Sequence, residues 1–361
     1  MLAVGLMSGT SMDGIDAALI ETDGESHNRR LGFVFTPYDD AMRERLREAC
    51  ATALGMERPG PDVAIDAVAR DLTLAHAAAV KALLEATGTA ASDVGVVGFH
   101  GQTIAHRPER GWTWQIGDGA LLARATGIRV VNDFRSADVT AGGQGAPLAP
   151  GYHRALAAGL ERPLGVLNLG GVGNLTWFGE GDWLSFDTGP GNAPIDDWIR
   201  ATTGADRDEG GALAATGAVH DAVLDAMLDN PWFDLAPPKS LDRGAWDVQA
   251  VRRLSAADGA ATLTAFTAAT VALALGHVAQ SPHRLLITGG GRHNATLMRV
   301  LAERTGVPCE PVEAVGWQGD ELEAQAFAWL AVRVLGGKPT SWPETTGVRE
   351  PVSGGVVSSA T

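Results

Sequence analysis

Asp187 stands in the stretch SFDTGPGN, where an apolar, strand-like run gives way to Thr188, Gly189, Pro190 and Gly191. Such a turn holds a carboxylate rigidly at a strand end and leaves it open to ligands, as a general base requires. The same carboxylate would also serve as the N-cap of a helix starting near Ala193, and the residues alone leave both roles open. Two further polar groups leave apolar runs together: His100, Gln102 and Thr103 in GFHGQT, and Asn132, Asp133 and Arg135 in VVNDFR. Several polar groups converging at a strand end suggest a binding site. A histidine in such a place is more often a satisfied structural one, but Gln102 beside His100 points toward a ligand. The Arg135 guanidinium offers a fork of donors that fits a carboxylate, or it pairs with Asp133 or Asp138.

Glycine clusters suggest what else is bound. Residues 4–24, VGLMSGTSMDGIDAALIETDG, form an apolar run, a small polar loop and a second half-apolar run. Either Gly9 and Gly14 merely allow an irregular hairpin turn, or the loop is a phosphate cradle. In a cradle, bare backbone N–H groups approach an anion and the hydroxyls of Ser8, Thr10 and Ser11 add donors. There is no GxxxxGK[ST] motif, the first lysine is Lys81, and the alternation of Ile15, Ala17 and Leu19 reads as a strand rather than a helix. The pattern returns at 165–183, GVLNLGGVGNLTWFGEGDW, with Gly170, Gly171 and Gly173 at the tip. Two such hairpin tips facing each other would grip one polyphosphate. A third cluster, RLLITGGGRHNATLMRVLAERTG at 284–306, reads as a buried strand, the turn Gly289-Gly290-Gly291 and an amphipathic helix. Strand–glycine turn–helix suits a nucleotide phosphate or, equally, tight packing of helix on strand.

The elements that must position these groups follow from periodicity. Amphipathic helices are expected over 39–54 and 61–88, and the long Gly/Pro loop 136–151 separates an N-terminal domain, 1–135, from a C-terminal one, 136–361. A chain of 361 residues suits two domains, and 45% apolar residues suffice for real cores. The formal net charge of −15 argues against a nucleic-acid partner. Cys50 and Cys309 lie far apart without metal spacing, which fits a reducing cytoplasm rather than a disulfide framework or zinc site. No basic region precedes the first apolar run, so no signal peptide is expected. The Ala- and Thr-rich stretch 263–279 reads as a buried helix rather than a membrane span. Trp112, Trp114 and Trp317 read as core or rim.

Two domains, each opening with a hairpin phosphate loop, and a late strand–GGG–helix resemble the plan of the actin-like and sugar-kinase ATPases. The motifs go further. GLMSGTSMDGIDAAL, GFHGQTIAH, WQIGDGALLA, VVNDFR, GGQGAPLAPGYH, LNLGGVGNLT, FDTGPGNAPIDDW, PPKSLDR, TGGGRHN and EAQAFAWLA resemble, in order, the motif series of the anhydro-N-acetylmuramic acid kinases. The match runs from residue 4 to about residue 332, and TTGVREPVSGG resembles the family's final segment. Leu241-Asp242 and Arg292 depart from the expected small residues.

The resemblance implies an α/β, two-domain actin-like (ribonuclease H-like) fold with a ligand cleft between domains, the last 25 or so residues packing back on the N-terminal domain. It implies a homodimer that uses ATP and Mg²⁺ on a small anhydrosugar, with no nucleic-acid or membrane partner. The implied reaction hydrolyses the bridge of 1,6-anhydro-N-acetylmuramic acid and phosphorylates O6, for peptidoglycan recycling. A glycosidase uses two carboxylates; here phosphoryl transfer would stabilise the departing oxygen, so one base, Asp187, would suffice. By resemblance, Asp13 positions hydrated Mg²⁺, and Gly9, Thr10, Ser11, Met12, Gly14, Ile15 and Asp16 share its nucleotide loop. Gly170, Gly171, Gly173 and Asn174 form the second loop, and Gly289, Gly290 and Gly291 lie near the adenosine and α-phosphate. His100, Gln102, Thr103, Asn132, Asp133 and Arg135 hold the sugar, with Arg135 on the lactyl carboxylate, and Glu323 positions water. The alternatives are a kinase of another anhydrosugar or hexose, such as levoglucosan, and an actin-like filament or nucleotide-switch protein.

Overall fold

A computed structural model describes residues 1–241 and 246–360. Asp242 of the PPKSLDR motif lies outside the described residues. The chain divides into two compact units, Met1–Ala158 with Glu321–Thr361, and Gly159–Asp320.

Unit 1 begins with β1 (Leu2–Ser8), β2 (Gly14–Thr22) and β3 (Asn28–Pro37), followed by α1 (Asp40–Leu54) and α2 (Val63–Thr87). Next come β4 (Val94–Arg107), β5 (Trp112–Ile116), α3 (Gly119–Thr126), β6 (Val130–Asn132), α4 (Ser136–Thr140) and α5 (Pro150–Leu156). The helix starts follow capping chemistry: Asp39, Asp62 and Asp118 each accept backbone N–H groups at the N-termini of α1, α2 and α3.

Unit 2 carries β7 (Leu164–Leu169), β8 (Val172–Phe178), β9 (Trp183–Pro190), α6 (Ala193–Thr203), α7 (Asp221–Leu228), α8 (Ala256–Ala274), β10 (Leu285–Thr288), α9 (Ala295–Thr305) and β11 (Cys309–Pro311). Unit 1 then resumes with α10 (Leu322–Leu335) and β12 (Val356–Ser358).

The two sheets share one plan. In unit 1 the order is β12-β6-β4-β1-β2-β3, with β5 on β4; in unit 2 it is β11-β10-β7-β8-β9. In each, the first three strands pair antiparallel, one strand (β4 or β10) adds parallel beside the first, and another (β6 or β11) adds parallel beside that one; unit 1 further carries β5 and β12, antiparallel to β4 and β6. This repeated mixed sheet is the actin-like arrangement that the motifs imply.

The units part at Ala158/Gly159 and Asp320/Glu321, not at 135/136. Residues 136–158 stay with unit 1 because its polar network holds them. The Asp138 carboxylate accepts from Gly145 N and the Thr346 hydroxyl, and Tyr152 OH donates to Gln325 Oε1 at 2.9 Å. The return to unit 1 is longer than expected, because α10 is itself a core helix there. Its backbone lies so close to the sheet that a Cβ at Gly5 or Gly98 would overlap the carbonyls of Ala324 and Phe327.

α8 holds most of the 263–279 stretch. With the 3₁₀ turn Leu275–His277 that follows it, it makes a 22-residue span, Ala256–His277, long and apolar enough to cross a membrane, yet α8 is buried continuously from Gly259 to Val271 inside unit 2. Its Thr267 hydroxyl donates to Gly191 O at 2.9 Å, so the helix supports the turn after Asp187.

Candidate active site

In unit 2, Asp187 lies within β9 rather than at its end, and is 9% exposed. It is not a helix cap: Asn192 occupies the N-cap position of α6. Register places Asp187 directly opposite Asn174 of β8. Asn174 Nδ2 donates to Asp187 Oδ1 at 2.8 Å, Leu241 N donates to Oδ2 at 2.7 Å, and Asp187 N donates to Lys239 O at 2.9 Å. Both carboxylate oxygens are therefore oriented by fixed N–H groups. Asn174, expected at the nucleotide loop, aims the candidate base.

The tip of the β7–β8 hairpin is only Gly170-Gly171. Asn192 N donates to Gly170 O at 2.7 Å and Gly191 N to Gly171 O at 2.9 Å, pinning the tip to the start of α6. The Gly289-Gly290-Gly291 turn lies against the same place, because a Cβ on Gly291 would stand 2.5 Å from Leu169 Cβ and 3.3 Å from Asn192 Oδ1. Unit 2 thus gathers the second hairpin tip, the triple-glycine turn and Asn192. Sequence reasoning quoted Asn192 in FDTGPGN but assigned it no role; its spacing five residues beyond Asp187 was the available signal.

The triple glycine does not open α9 directly. It forms the start of a 3₁₀ turn, Gly290–His293, with Gly289 at its N-cap position, and α9 starts at Ala295 with Asn294 as its cap. Arg292 accounts for its own departure from the family pattern. It is buried, and it donates to Gly289 O (2.9 Å) and Glu313 Oε1 (3.0 Å) and pairs with Asp320 Oδ1 (2.8 Å), which anchors the turn.

The glycines divide into two classes. Gly14, Gly173, Gly289 and Gly291 are required by the protein itself, since a Cβ would strike Thr36 O, Thr188 Oγ1, Asn168 Oδ1 and Leu169 Cβ respectively. Gly9, Gly170 and Gly290 have no atom closer than 3.5 Å to an added Cβ. Their bareness therefore leaves backbone accessible from outside, as a phosphate loop requires.

In unit 1, the loop between β1 and β2 exposes Thr10, Ser11 and Asp13, closed by Met12 N donating to Gly9 O at 3.1 Å. Met12 has φ +55°. Ser11 Oγ donates to Asp13 Oδ1 at 2.7 Å. The Ile15 side chain is fully buried in the core. Asp16 lies half-buried on β2. Burial raises the Tyr38 phenol's pKa, and the charges of Asp13 and Asp16 add to it. Among the described residues no three His, Cys, Asp or Glu side chains form a metal cage. One or two carboxylates without a cage nevertheless fit Mg²⁺, which keeps several waters and takes substrate phosphates as ligands.

His100, Gln102 and Thr103 lie inside the long strand β4, not in a loop after it. Gln102 is fully buried; its Nε2 donates to Gly9 O (3.1 Å), and its Oε1 accepts from Ser8 Oγ (2.6 Å), itself bonded by Tyr38 OH (2.9 Å). It therefore braces the first glycine loop, as the parallel register of Ser8 with Gln102 dictates. His100 is also buried, and burial, then the Arg135 charge, holds its pKa well below the usual range, so it is neutral. Its Nδ1 lies 2.8 Å from Gly101 O, and its Nε2 accepts from Arg135 Nε at 3.2 Å. With Nη1 on Gly145 O at 2.7 Å, the half-buried Arg135 is set by His100. Thr103 Oγ1 accepts from Gln115 Nε2 at 3.1 Å.

Asn132 packs against Gly119 at the start of α3. Asp133 has φ +55° and lines a 360 Å³ cavity with Trp112, Trp114, Gln115 and Ser136. Glu323 is exposed on α10, whereas Glu321 is buried, bound by Arg30 Nε (2.7 Å) and Nη2 (2.6 Å) and by Gln325 Nε2 (3.0 Å).

The family model described as anhydro-N-acetylmuramic acid kinase matches residues 1–360. Three proteins of that name are similar along nearly their whole length. That of Rhizorhabdus wittichii is 63% identical over 99% of this chain and 98% of its own; that of Paramagnetospirillum magneticum is 56% identical over 98% and 99%. That of Zymomonas mobilis is 52% identical over 98% and 99%. Among solved structures, a ROK family glucokinase from Streptomyces griseus in complex with glucose and AMPPNP aligns with a TM-score of 0.42 and 15% identity, over 92% of this chain and 99% of its own, too distant a likeness to assign any residue. The match over the whole chain and the three close relatives lead to one conclusion: the chain belongs to the anhydro-N-acetylmuramic acid kinase family of enzymes.

Proposed function

We propose that this kinase hydrolyses the anhydro bridge of 1,6-anhydro-N-acetylmuramic acid and phosphorylates O6 with ATP, giving N-acetylmuramic acid 6-phosphate in peptidoglycan recycling. The observation that carries the reading is Asp187, whose carboxylate is fixed at both oxygens by Asn174 and Leu241, in the unit whose Gly170 and Gly290 leave backbone open to phosphate. Asp187 takes a proton from a water as that water attacks C1. The C1–O bond to the bridge breaks, O6 bonds to the γ-phosphorus, and ADP departs. No second carboxylic acid is needed for the leaving oxygen, because the phosphoryl group neutralises its developing charge. A general base contributes about 10²–10⁴-fold, and holding water, sugar and nucleotide in register supplies much of the rest.

Arg135, oriented by His100, is assigned to the lactyl carboxylate, since a guanidinium suits planar carboxylates. Asp13 and Asp16 would hold hydrated Mg²⁺ beside the Thr10 and Ser11 hydroxyls. That ion, when bound, neutralises phosphate charge. The enzyme is taken to be a cytoplasmic homodimer, which light scattering coupled to gel filtration tests.

ATP turnover is the discriminating assay, measured with 1,6-anhydro-N-acetylmuramic acid, levoglucosan, N-acetylmuramic acid and glucose. The reading expects the first substrate to have the highest kcat/KM and ATP hydrolysis to vanish without sugar. A higher kcat/KM for levoglucosan or glucose, or sugar-independent hydrolysis, overturns it.

A further inference from the structure

Lys239 is a buried lysine, 7% exposed, with no role in the chemistry described above. Its ammonium donates to Trp232 O at 3.1 Å and Phe233 O at 2.8 Å, and it stands 4.3 Å from the centroid of the Trp232 ring. An ammonium has three N–H groups. Two are taken by carbonyls, and the Trp232 ring lies beside the ammonium.

Its main chain does something different. Lys239 O accepts from Asp187 N, and two residues later Leu241 N donates to Asp187 Oδ2. Residues 239–241 thus bracket Asp187 at both backbone and carboxylate. The carbonyls that hold the ammonium belong to a rigid region. The Phe233 ring packs on Trp246 at 5.3 Å and Phe266 at 6.1 Å between centroids, and Phe233 O lies 3.0 Å from His277 Nε2. A line of contacts therefore runs from this aromatic core through the Lys239 ammonium to the bracket and the carboxylate.

We propose that Lys239 is a positioning residue for catalysis: it anchors the 239–241 bracket to the aromatic core and so fixes the direction in which Asp187 presents its carboxylate. This rests on the assignment of Asp187 as the base. A carboxylate displaced by a fraction of an ångström or turned by some tens of degrees loses in-line access to the water while substrates still bind.

The test uses the full-length enzyme. Lys239→Met keeps a long apolar side chain but removes all donors; Lys239→Gln keeps an amide N–H for one carbonyl. Each is made in the wild type and in Asp187→Asn, and kcat is normalised to sites that bind a non-hydrolysable ATP analogue. The expected result is a fall of kcat by about tenfold or more for Lys239→Met, with both KM values within about twofold, and an intermediate value for Lys239→Gln. In the Asp187→Asn background, Lys239→Met should change the residual rate by less than about twofold, because both act through one group. If Lys239→Met binds no analogue, the Gln variant carries the same comparison.

A per-site kcat within twofold of wild type, or an equal further loss in the Asp187→Asn background, overturns the proposal. Asp187→Asn retaining more than a tenth of the wild-type rate overturns the base assignment and this inference with it. An inactive Asp187→Asn beside an unimpaired Lys239 variant overturns this inference alone.

Discussion

Units 1 and 2 build the same mixed sheet and decorate it differently. In unit 1 the hairpin tip is a five-residue loop with two exposed hydroxyl side chains and an acid, braced from below by Gln102. In unit 2 the tip shrinks to two glycines whose carbonyls are taken by amides at the start of α6. The third strand differs most. Opposite Asp16, β3 presents Phe35, 45% exposed; opposite Asn174, β9 presents Asp187. A repeated backbone thus fixes where a hairpin tip can meet a ligand, while the side chains on the third strand decide which copy can carry a base. Function resides in the decoration, not in the shared plan.

The largest effect is expected where the copies differ most. Asp187→Asn should lose about 10²–10⁴-fold in kcat, because an amide cannot take the proton, while calorimetry finds ATP binding preserved. A variant above a tenth of the wild-type rate with intact ligand binding would make the contrast between β3 and β9 catalytically irrelevant.

A smaller effect separates the two classes of glycine. Gly170→Ala meets no atom within 3.5 Å, so the melting temperature should hold while ATP affinity falls by about tenfold, ~1.4 kcal/mol. Gly173→Ala puts a methyl 2.5 Å from Thr188 Oγ1 and should lower the melting temperature instead. The same affinity loss with the same destabilisation in both variants would erase the distinction between ligand-facing and packing glycines.

The smallest expected difference concerns acid. All three buried histidines, His76, His100 and His153, lie in unit 1. Burial pushes His76 and His153 down to about 4, and burial with the Arg135 charge holds His100 well below 6.5. The unfolded chain, with ordinary histidines, binds more protons than the folded unit below about pH 6.5. This contribution to stability is therefore complete above that pH and is lost as pH falls from about 6.5 toward 4. Hydrogen exchange, corrected for its intrinsic pH dependence, should show peptides of unit 1 losing protection before those of unit 2 as the pH is lowered. Coincident loss, or loss in unit 2 first, contradicts this.

Much of the frame was legible in the sequence because it rests on local signals. Amphipathic spacing marks α1 and α2 to within two residues. The two glycine hairpins and the strand before the triple glycine fall where periodicity puts them. Other features depend on pairing between distant segments, which one sequence does not display. Gln102 and His100 read as ligand contacts because they are polar and beside glycine, yet strand pairing buries them under Gly9 and Arg135. Asn174 reads as a loop residue until register sets it opposite Asp187. The 135/136 boundary misplaces residues 136–158, because a Gly/Pro-rich run marks irregular backbone and not the edge of a core. Glu323 was singled out by its motif, whereas the buried carboxylate of that segment, Glu321, depends on Arg30 some 290 positions away.

Water labelled with oxygen-18 tests the central claim most directly. During one turnover with ATP and 1,6-anhydro-N-acetylmuramic acid, the label should enter the C1 hydroxyl of the product, while the unlabelled bridge oxygen stays on C6 and carries the new phosphate. Mass spectrometry and ³¹P nuclear magnetic resonance locate both oxygens. Label found only in inorganic phosphate, or a phosphorylated sugar with its anhydro bridge intact and no label at C1, would contradict the account.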